Sequence, residues 1–254
     1  MDVQDLERLV NNDRREQLDM RADVQQRVHR DPLSMAFPAL MRKVYVWMTL
    51  ALVITGLCAY GVATSPTLVQ MVYGNQAAIW VLFIVEIGLV FYTTARIDKL
   101  SLSTATTLFI LYSAINGVTL SSIFMVYAMT SIAKVFFITA GTFAAMAFIG
   151  YTTKKDLTKF GSLLFMALIG LIIATVVNMF VRSGMFDLIL SYIGVGLFVG
   201  LTAWDSQQIK RALAMQPDMS ESSQKVALLG ALTLYLDFIN LFLYLLRIFG
   251  RSDN

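Results

Sequence analysis

An all-α integral membrane protein with seven transmembrane helices is the fold class this sequence predicts, and three observations predict it. The chain is 57% hydrophobic against 20 Lys+Arg and 17 Asp+Glu in 254 residues, whereas about a quarter of the residues in a soluble domain are charged. The charges are also segregated, with 16 of the 37 preceding Val44 and none from Val44 to Val85. Behind Lys43 the apolar residues gather into runs long enough to cross a hydrocarbon core, which takes roughly 20 residues per helix.

Taken in order, residues 1–40 are a polar N-terminal tail, 41–250 the transmembrane domain and 251–254 a short C-terminal tail. The first 31 residues carry six arginines and eight acids and lack the apolar core of a signal peptide. A solvated tail is expected there, with an amphipathic partner-binding helix as the alternative. The apolar runs are 44–64, 77–95, 104–129, 132–150, 161–181, 186–204 and 227–246. Their breaks are Ser65-Pro66 to Gln76, Arg96 to Lys99, the Thr130-Ser131 neighbourhood, Lys154 to Lys159, Arg182 to Gly184, and the longer polar stretch from Ser206 to Lys225. Gly and β-branched residues within the runs are compatible with membrane helices. Gly196 and Gly200 form a small-x-x-x-small pair of the kind that lets two helices approach.

Lys and Arg set the orientation. A cytoplasmic N-terminus puts ten of them, from Arg42 to Lys225, on the inner side and only Lys134 and Arg182 outside the first six spans. Arg247 and Arg251 oppose a seventh crossing, and a re-entrant segment would return them inside. The run from Val226 to Leu246 is nevertheless 21 residues long with Asp237 as its only charge, so spanning and an extracytoplasmic C-terminus are expected.

Composition removes several kinds of chemistry. Cys58 is the single cysteine and lies in an apolar run, and His29, the single histidine, lies in the tail. Neither an intrachain disulfide, a thiolate zinc site nor a membrane-embedded Ser-His-Asp triad can be built from them. No Gly-rich phosphate loop, selectivity-filter string or regular arginine ladder is present, which argues against nucleotide-driven pumping and voltage gating; no enzyme activity and no cofactor are expected. The basic residues fall in short clusters between apolar runs, a pattern of topology signals in a lipid bilayer and not of a nucleic-acid surface.

Three carboxylates interrupt or border the runs: Glu86, Asp205 and Asp237. A charged Asp at a helix centre costs about 2.5–3.5 kcal/mol on insertion scales, so such a group needs a function or a partner. Thr233, Asp237, Asn240 and Tyr244 follow one another at spacings of four, three and four and share one helical face, a candidate polar pathway or a hydrogen-bonded structural stripe. Glu86 and Arg96 are ten residues apart, about 15 Å along a helix, and cannot pair directly. Arg96 can reach a carboxylate on another helix or extend to lipid headgroups. Tyr112, Asn116, Thr119 and Asn178 are candidates for the same interior.

The string from Phe198 to Lys210, containing Thr202-Ala203-Trp204-Asp205-Ser206-Gln207-Gln208, and the string Leu234-Tyr235-Leu236-Asp237-Phe238-Ile239-Asn240-Leu241-Phe242 resemble the Bax inhibitor family, closest to its bacterial members. Gly250 after Leu245-Leu246-Arg247-Ile248-Phe249, and Tyr151-Thr152-Thr153-Lys154-Lys155-Asp156-Leu157, fit the same resemblance, which runs from about residue 40 to 250. It implies two three-helix layers around a central C-terminal helix and a pH-sensitive passive leak of Ca²⁺. It also implies a proton-sharing pair at Asp205 and Asp237 that meets Ca²⁺ weakly and transiently, a latch at Arg96, and a pathway role for Glu86. Spacing alone does not bring the pair together: Asp205 is five residues from Lys210 and Asp237 twelve from Lys225, a depth difference of roughly 10 Å if both lysines sit at the interface.

Two functions are therefore expected in competition. One is the proton-gated Ca²⁺ leak of a bacterial cytoplasmic (inner) membrane. The other is a protein-binding regulator, such as a modulator of a membrane-anchored ATP-dependent protease, with recognition carried by the tail.

Overall fold

The computed structural model describes residues 36–251, together with Gln17 and Met20; the expected tail structure lies outside the described residues. Those residues form helices α1 (Ala36–Ala63), α2 (Pro66–Tyr73), α3 (Gln76–Arg96), α4 (Leu102–Leu120), α5 (Ile123–Val126), α6 (Met129–Thr152), α7 (Thr158–Val181), α8 (Gly184–Ala214) and α9 (Glu221–Phe249). Counting α4 and α5 as one crossing, seven are long and apolar enough to span a membrane. The protein is an all-α, multi-pass membrane protein.

Short polar residues before each run fix where helices begin. Ser65 precedes Pro66 at the start of α2, and the side chains of Asn75, Ser101, Ser183 and Ser220 cap α3, α4, α8 and α9 by accepting backbone N–H bonds. Helix α7 stops where Arg182 turns left-handed at φ 54°, the conformation that ends many helices.

The run from 104 to 129 is not one continuous helix. It breaks at Ser121-Ser122, and the Tyr73 hydroxyl from α2 lies 3.2 and 2.9 Å from the Val118 and Thr119 carbonyls at the break. The Ser122 N–H donates back to the same hydroxyl at 3.0 Å. Irregular backbone at membrane depth persists only when its polar groups are satisfied in this way.

Helix α9 lies at the centre, packed on α4, α6 and α8, with Thr55 of α1 also bonded to its Tyr235. Helix α3 packs on α4, which α1 approaches closely at Gly117, while α6 and α7 pack on α8. This gives a layer of α1, α3 and α4 and a layer of α6, α7 and α8 around α9.

The bundle has two chemically different ends. At one, Lys225 donates to the Asp98 and Leu100 carbonyls, Lys210 to the Tyr151 carbonyl at 2.7 Å, and Arg211 pairs with Asp156 at 2.8 Å. This basic end holds ten Lys and Arg from Arg42 to Lys225. At the other, Arg247 pairs with Asp187, and Arg251 exchanges backbone and side-chain bonds with Ala128 and Ser131. Since α9 runs unbroken for 29 residues, about 43 Å, between these ends, it spans and does not re-enter.

The expected Gly196–Gly200 contact is not made. Gly196 is exposed with no neighbour within 4 Å of a Cβ position, and Gly200 meets only the Leu164 side chain. The tight approach is at Gly150 of α6, where a Cβ would lie 2.0 Å from the Ala203 carbonyl oxygen of α8. Spacing within one helix does not reveal which face its neighbours use.

Candidate functional site

Asp205 and Asp237 meet between α8 and α9, their carboxyl groups within hydrogen-bonding reach of each other. The antiparallel register explains how. Gly230 packs on Ile209 and Gly194 on Tyr244, so residues whose numbers sum to about 440 face one another across the two helices. Asp205 and Asp237 satisfy that register. Lys225 is then level with the last residues of α8, well beyond Lys210. The depth difference inferred from the two lysines is thereby corrected: Lys210 lies deeper, its ammonium bonded to the Tyr151 carbonyl and seated 4.8 Å from the Tyr151 ring centroid. A lysine held by a carbonyl and an aromatic face is not a marker of the membrane boundary.

The two carboxyl groups differ in exposure. Asp237 is 5% exposed and its Oδ2 takes no hydrogen bond from the described residues. Asp205 is half-buried, as is Gln208 one turn nearer the basic end. Helix α8 continues nine residues past Asp205, about 14 Å, so the pair sits nearer the basic end than the other. Trp204 Nε1 and Ser206 Oγ, on either side of Asp205 in sequence, are also buried without a partner among the described residues. Among these residues no third His, Cys, Asp or Glu joins the pair in a metal-binding cluster. Chemically the site offers hard oxygen acceptors able to exchange a proton or meet a cation briefly, with too few ligands for tight Ca²⁺ retention.

Glu86 belongs to a different network. It is buried in α3 and accepts a 2.6 Å hydrogen bond from the Thr119 hydroxyl of α4, one turn from Asn116. Asn116 Oδ1 in turn accepts from the Tyr235 hydroxyl at 3.0 Å, and Tyr235 lies 2.7 Å from Thr55 Oγ1, which donates to the Ser113 carbonyl. Tyr235 is two residues from Asp237 and so faces nearly the other way around α9. The sequence reading singled out Asp237 and did not single out Tyr235; its only signal was a tyrosine whose hydroxyl needs a partner inside an apolar helix.

The remaining residues of the α9 stripe serve their own helix or its packing. The Thr233 hydroxyl donates to the Leu229 carbonyl, Asn240 Nδ2 to the Leu236 carbonyl, and the Tyr244 ring stacks on Phe198 against Gly194. All three are half-buried along one side of α9. Tyr112 packs edge-on against Tyr235, and Asn178 closes the end of α7 by accepting from the Ser183 N–H. Arg96 is not brought to the pair. It is exposed at the end of α3, which packs on α4, whereas the carboxyl groups lie between α8 and α9. Neither ion pair among the described residues involves it.

The chain is similar to known membrane proteins. The family model described as Inhibitor of apoptosis-promoting Bax1 matches residues 38–254. The chain is 50% identical over 213 residues to the inner membrane protein YbhL of Escherichia coli strain K12, covering 83% of this chain and 91% of YbhL. It is 46% identical over 214 residues to a protein of Borreliella burgdorferi, covering 84% and 92% of the two chains. It is also 40% identical over 211 residues to protein RP147 of Rickettsia prowazekii, covering 83% and 89%. With a family match that takes in every membrane span and both aspartate strings, the chain belongs to the Bax inhibitor family.

Proposed function

We propose that this protein is a pH-sensitive passive leak for Ca²⁺, with Asp205 and Asp237 as the proton-sharing sensor, and that it works without an enzymatic step. The observation that carries the reading is the contact of these two carboxyl groups inside a membrane bundle, one of them with an unpartnered oxygen. Two carboxylates in a low-dielectric site repel when both are ionised, so they hold a proton between them and release it as a unit. Loss of that proton puts two like charges across the α8–α9 interface, which couples proton exchange to the packing of the central helix. The same oxygens suit a hard cation in passage, and a site of two carboxylates is weak enough to let it leave.

Glu86 is the second pathway candidate, held by Thr119 of α4 and separate from the pair. An Arg96 latch requires an arrangement other than the one described, since no hydrogen bond or ion pair among the described residues ties its guanidinium to either carboxyl group. The protein's proposed site is a bacterial inner membrane, which the name of YbhL states for that protein, with the basic end cytoplasmic. The competing protease-modulator reading rests on the tail, outside the described residues, and no described feature favours it.

The test is Ca²⁺ entry into vesicles containing only this protein, followed from pH 5 to 8. Asp237→Asn and Asp205→Asn retain shape and hydrogen bonding but cannot titrate, and each is expected to flatten the pH profile. Wild-type profiles in both variants would rule the shared-proton sensor out.

A further inference from the structure

A groove of about 700 Å³ runs between α1 and α6 on the outside of the bundle. Met48 and Leu52 line it on one side, Phe136, Ala140 and Ala144 on the other, and Phe238 of α9 forms its floor. Its α6 wall extends from Phe136 to Tyr151, fifteen residues or about 22 Å, longer than the roughly 15 Å of hydrocarbon in one leaflet. The wall faces the lipid phase, as Phe148 on its rim and Phe137 beside it are 66% and 74% exposed.

The groove is mainly apolar, with Thr49 the one polar residue along its α1 wall, and its charge lies at the basic end. There Arg42, Tyr45 and Tyr151 line it. Arg42 is exposed and takes part in neither ion pair among the described residues. An apolar slot at least as long as one leaflet's hydrocarbon, ending in a guanidinium and two tyrosines, is complementary to one class of molecule available at that place, a phospholipid with a net negative headgroup.

We propose that this groove is a binding site for one anionic phospholipid, with an acyl chain between α1 and α6 and the phosphate on Arg42. The proposal is independent of the ion-leak reading. It does give that reading a neighbour, because Phe238, which the chain would rest on, follows Asp237 directly and is held edge-on by Phe136 and Phe143 at 5.4 and 5.5 Å.

Native mass spectrometry of the detergent-purified full chain tests it, with phosphatidylglycerol, phosphatidylcholine or inorganic phosphate added in turn. Wild type is expected to retain one phosphatidylglycerol, and neither phosphatidylcholine nor phosphate to the same degree. Arg42→Gln removes the charge-assisted bond and Ala144→Phe fills the slot from an exposed position; each is expected to weaken retention by about tenfold or more. Phe180→Ala, on the lipid-facing surface of α7, is expected to bind as wild type. Equal retention of both lipids, unchanged binding in Arg42→Gln and Ala144→Phe, or an equal loss in Phe180→Ala would each overturn the site.

Discussion

The Thr119 hydroxyl of α4 donates a 2.6 Å hydrogen bond to the buried carboxyl group of Glu86 on α3, joining two helices of one layer through the acid the sequence left without a partner. Removing that donor leaves an acceptor stranded. Thr119→Val is expected to destabilise the folded protein by about 1–3 kcal/mol, the usual penalty for an unsatisfied buried group. In a Glu86→Leu background the same change should cost much less. A double-mutant cycle on thermal midpoints in detergent measures the difference, and additive effects would show that the bond carries no coupling.

That network also shows where sequence reasoning reaches and where it stops. The seven runs were legible because membrane spans are written in local hydropathy, and Asp205 and Asp237 stood out because carboxylates in such runs are costly. Tyr235 and Thr55 were not legible as partners, since 180 residues separate them and neither type is unusual inside a membrane helix. Helix α2 was hidden in what read as a break, although Ser65-Pro66 is a helix start. The break at Ser121-Ser122 was hidden in what read as a run, because Tyr73 satisfies it from another element. The meeting of the two aspartates depended on the relative depths of Lys210 and Lys225, which only the α8–α9 register fixes.

Gly150 sets the distance between α6 and α8 close to the pair, since Ala203, which it touches, is two residues from Asp205. Gly150→Ala would put a Cβ 2.0 Å from a backbone oxygen, and backbone cannot rotate away as a side chain can. It is expected to cost about 1–3 kcal/mol as overpacking does and to shift the pH midpoint of flux by displacing α8. Gly196→Ala, with open space at its Cβ position, should leave both unchanged. Thermal unfolding and vesicle flux on the two variants check the contrast, and equal effects would remove the special role of the Gly150 contact.

The α6–α7 loop carries a carboxylate whose titration can be separated from that of the pair. The Thr158 hydroxyl and N–H, helped by Arg211, hold the Asp156 carboxyl well below the usual range. A lowered folded-state value means that the contribution of Asp156 is present above its unfolded value, about 4, and is lost only as pH falls through the depressed folded one. The loop therefore keeps its charge across pH 5 to 8. Asp156→Asn is expected to leave the shape of the flux profile in that window intact, and a flattened profile would move the sensor to this loop.

Topology decides which compartment the pair samples, and here the register of the helices and the distribution of charge lead to one answer. Seven crossings place Lys43, bonded to Gln224, and Arg251, bonded to Ser131, at opposite ends of the bundle. The Lys43 end holds ten Lys and Arg against four at the other among residues 36–251, so the positive-inside rule makes it cytoplasmic. Arg247 does not argue otherwise, for it is neutralised by Asp187 at 3.4 Å and lies 5.5 Å from the Tyr244 ring centroid. The C-terminus is then expected to be extracytoplasmic, and the pair, nearer the basic end, is expected to exchange protons with the cytoplasm if it is the proposed sensor. In a Cys58→Ala background, Asn254→Cys should react with a membrane-impermeant thiol reagent in intact cells, whereas Ser222→Cys, at the exposed start of α9, should react only after the membrane is opened. The reverse pattern would invert the topology and turn the sensor toward the outside.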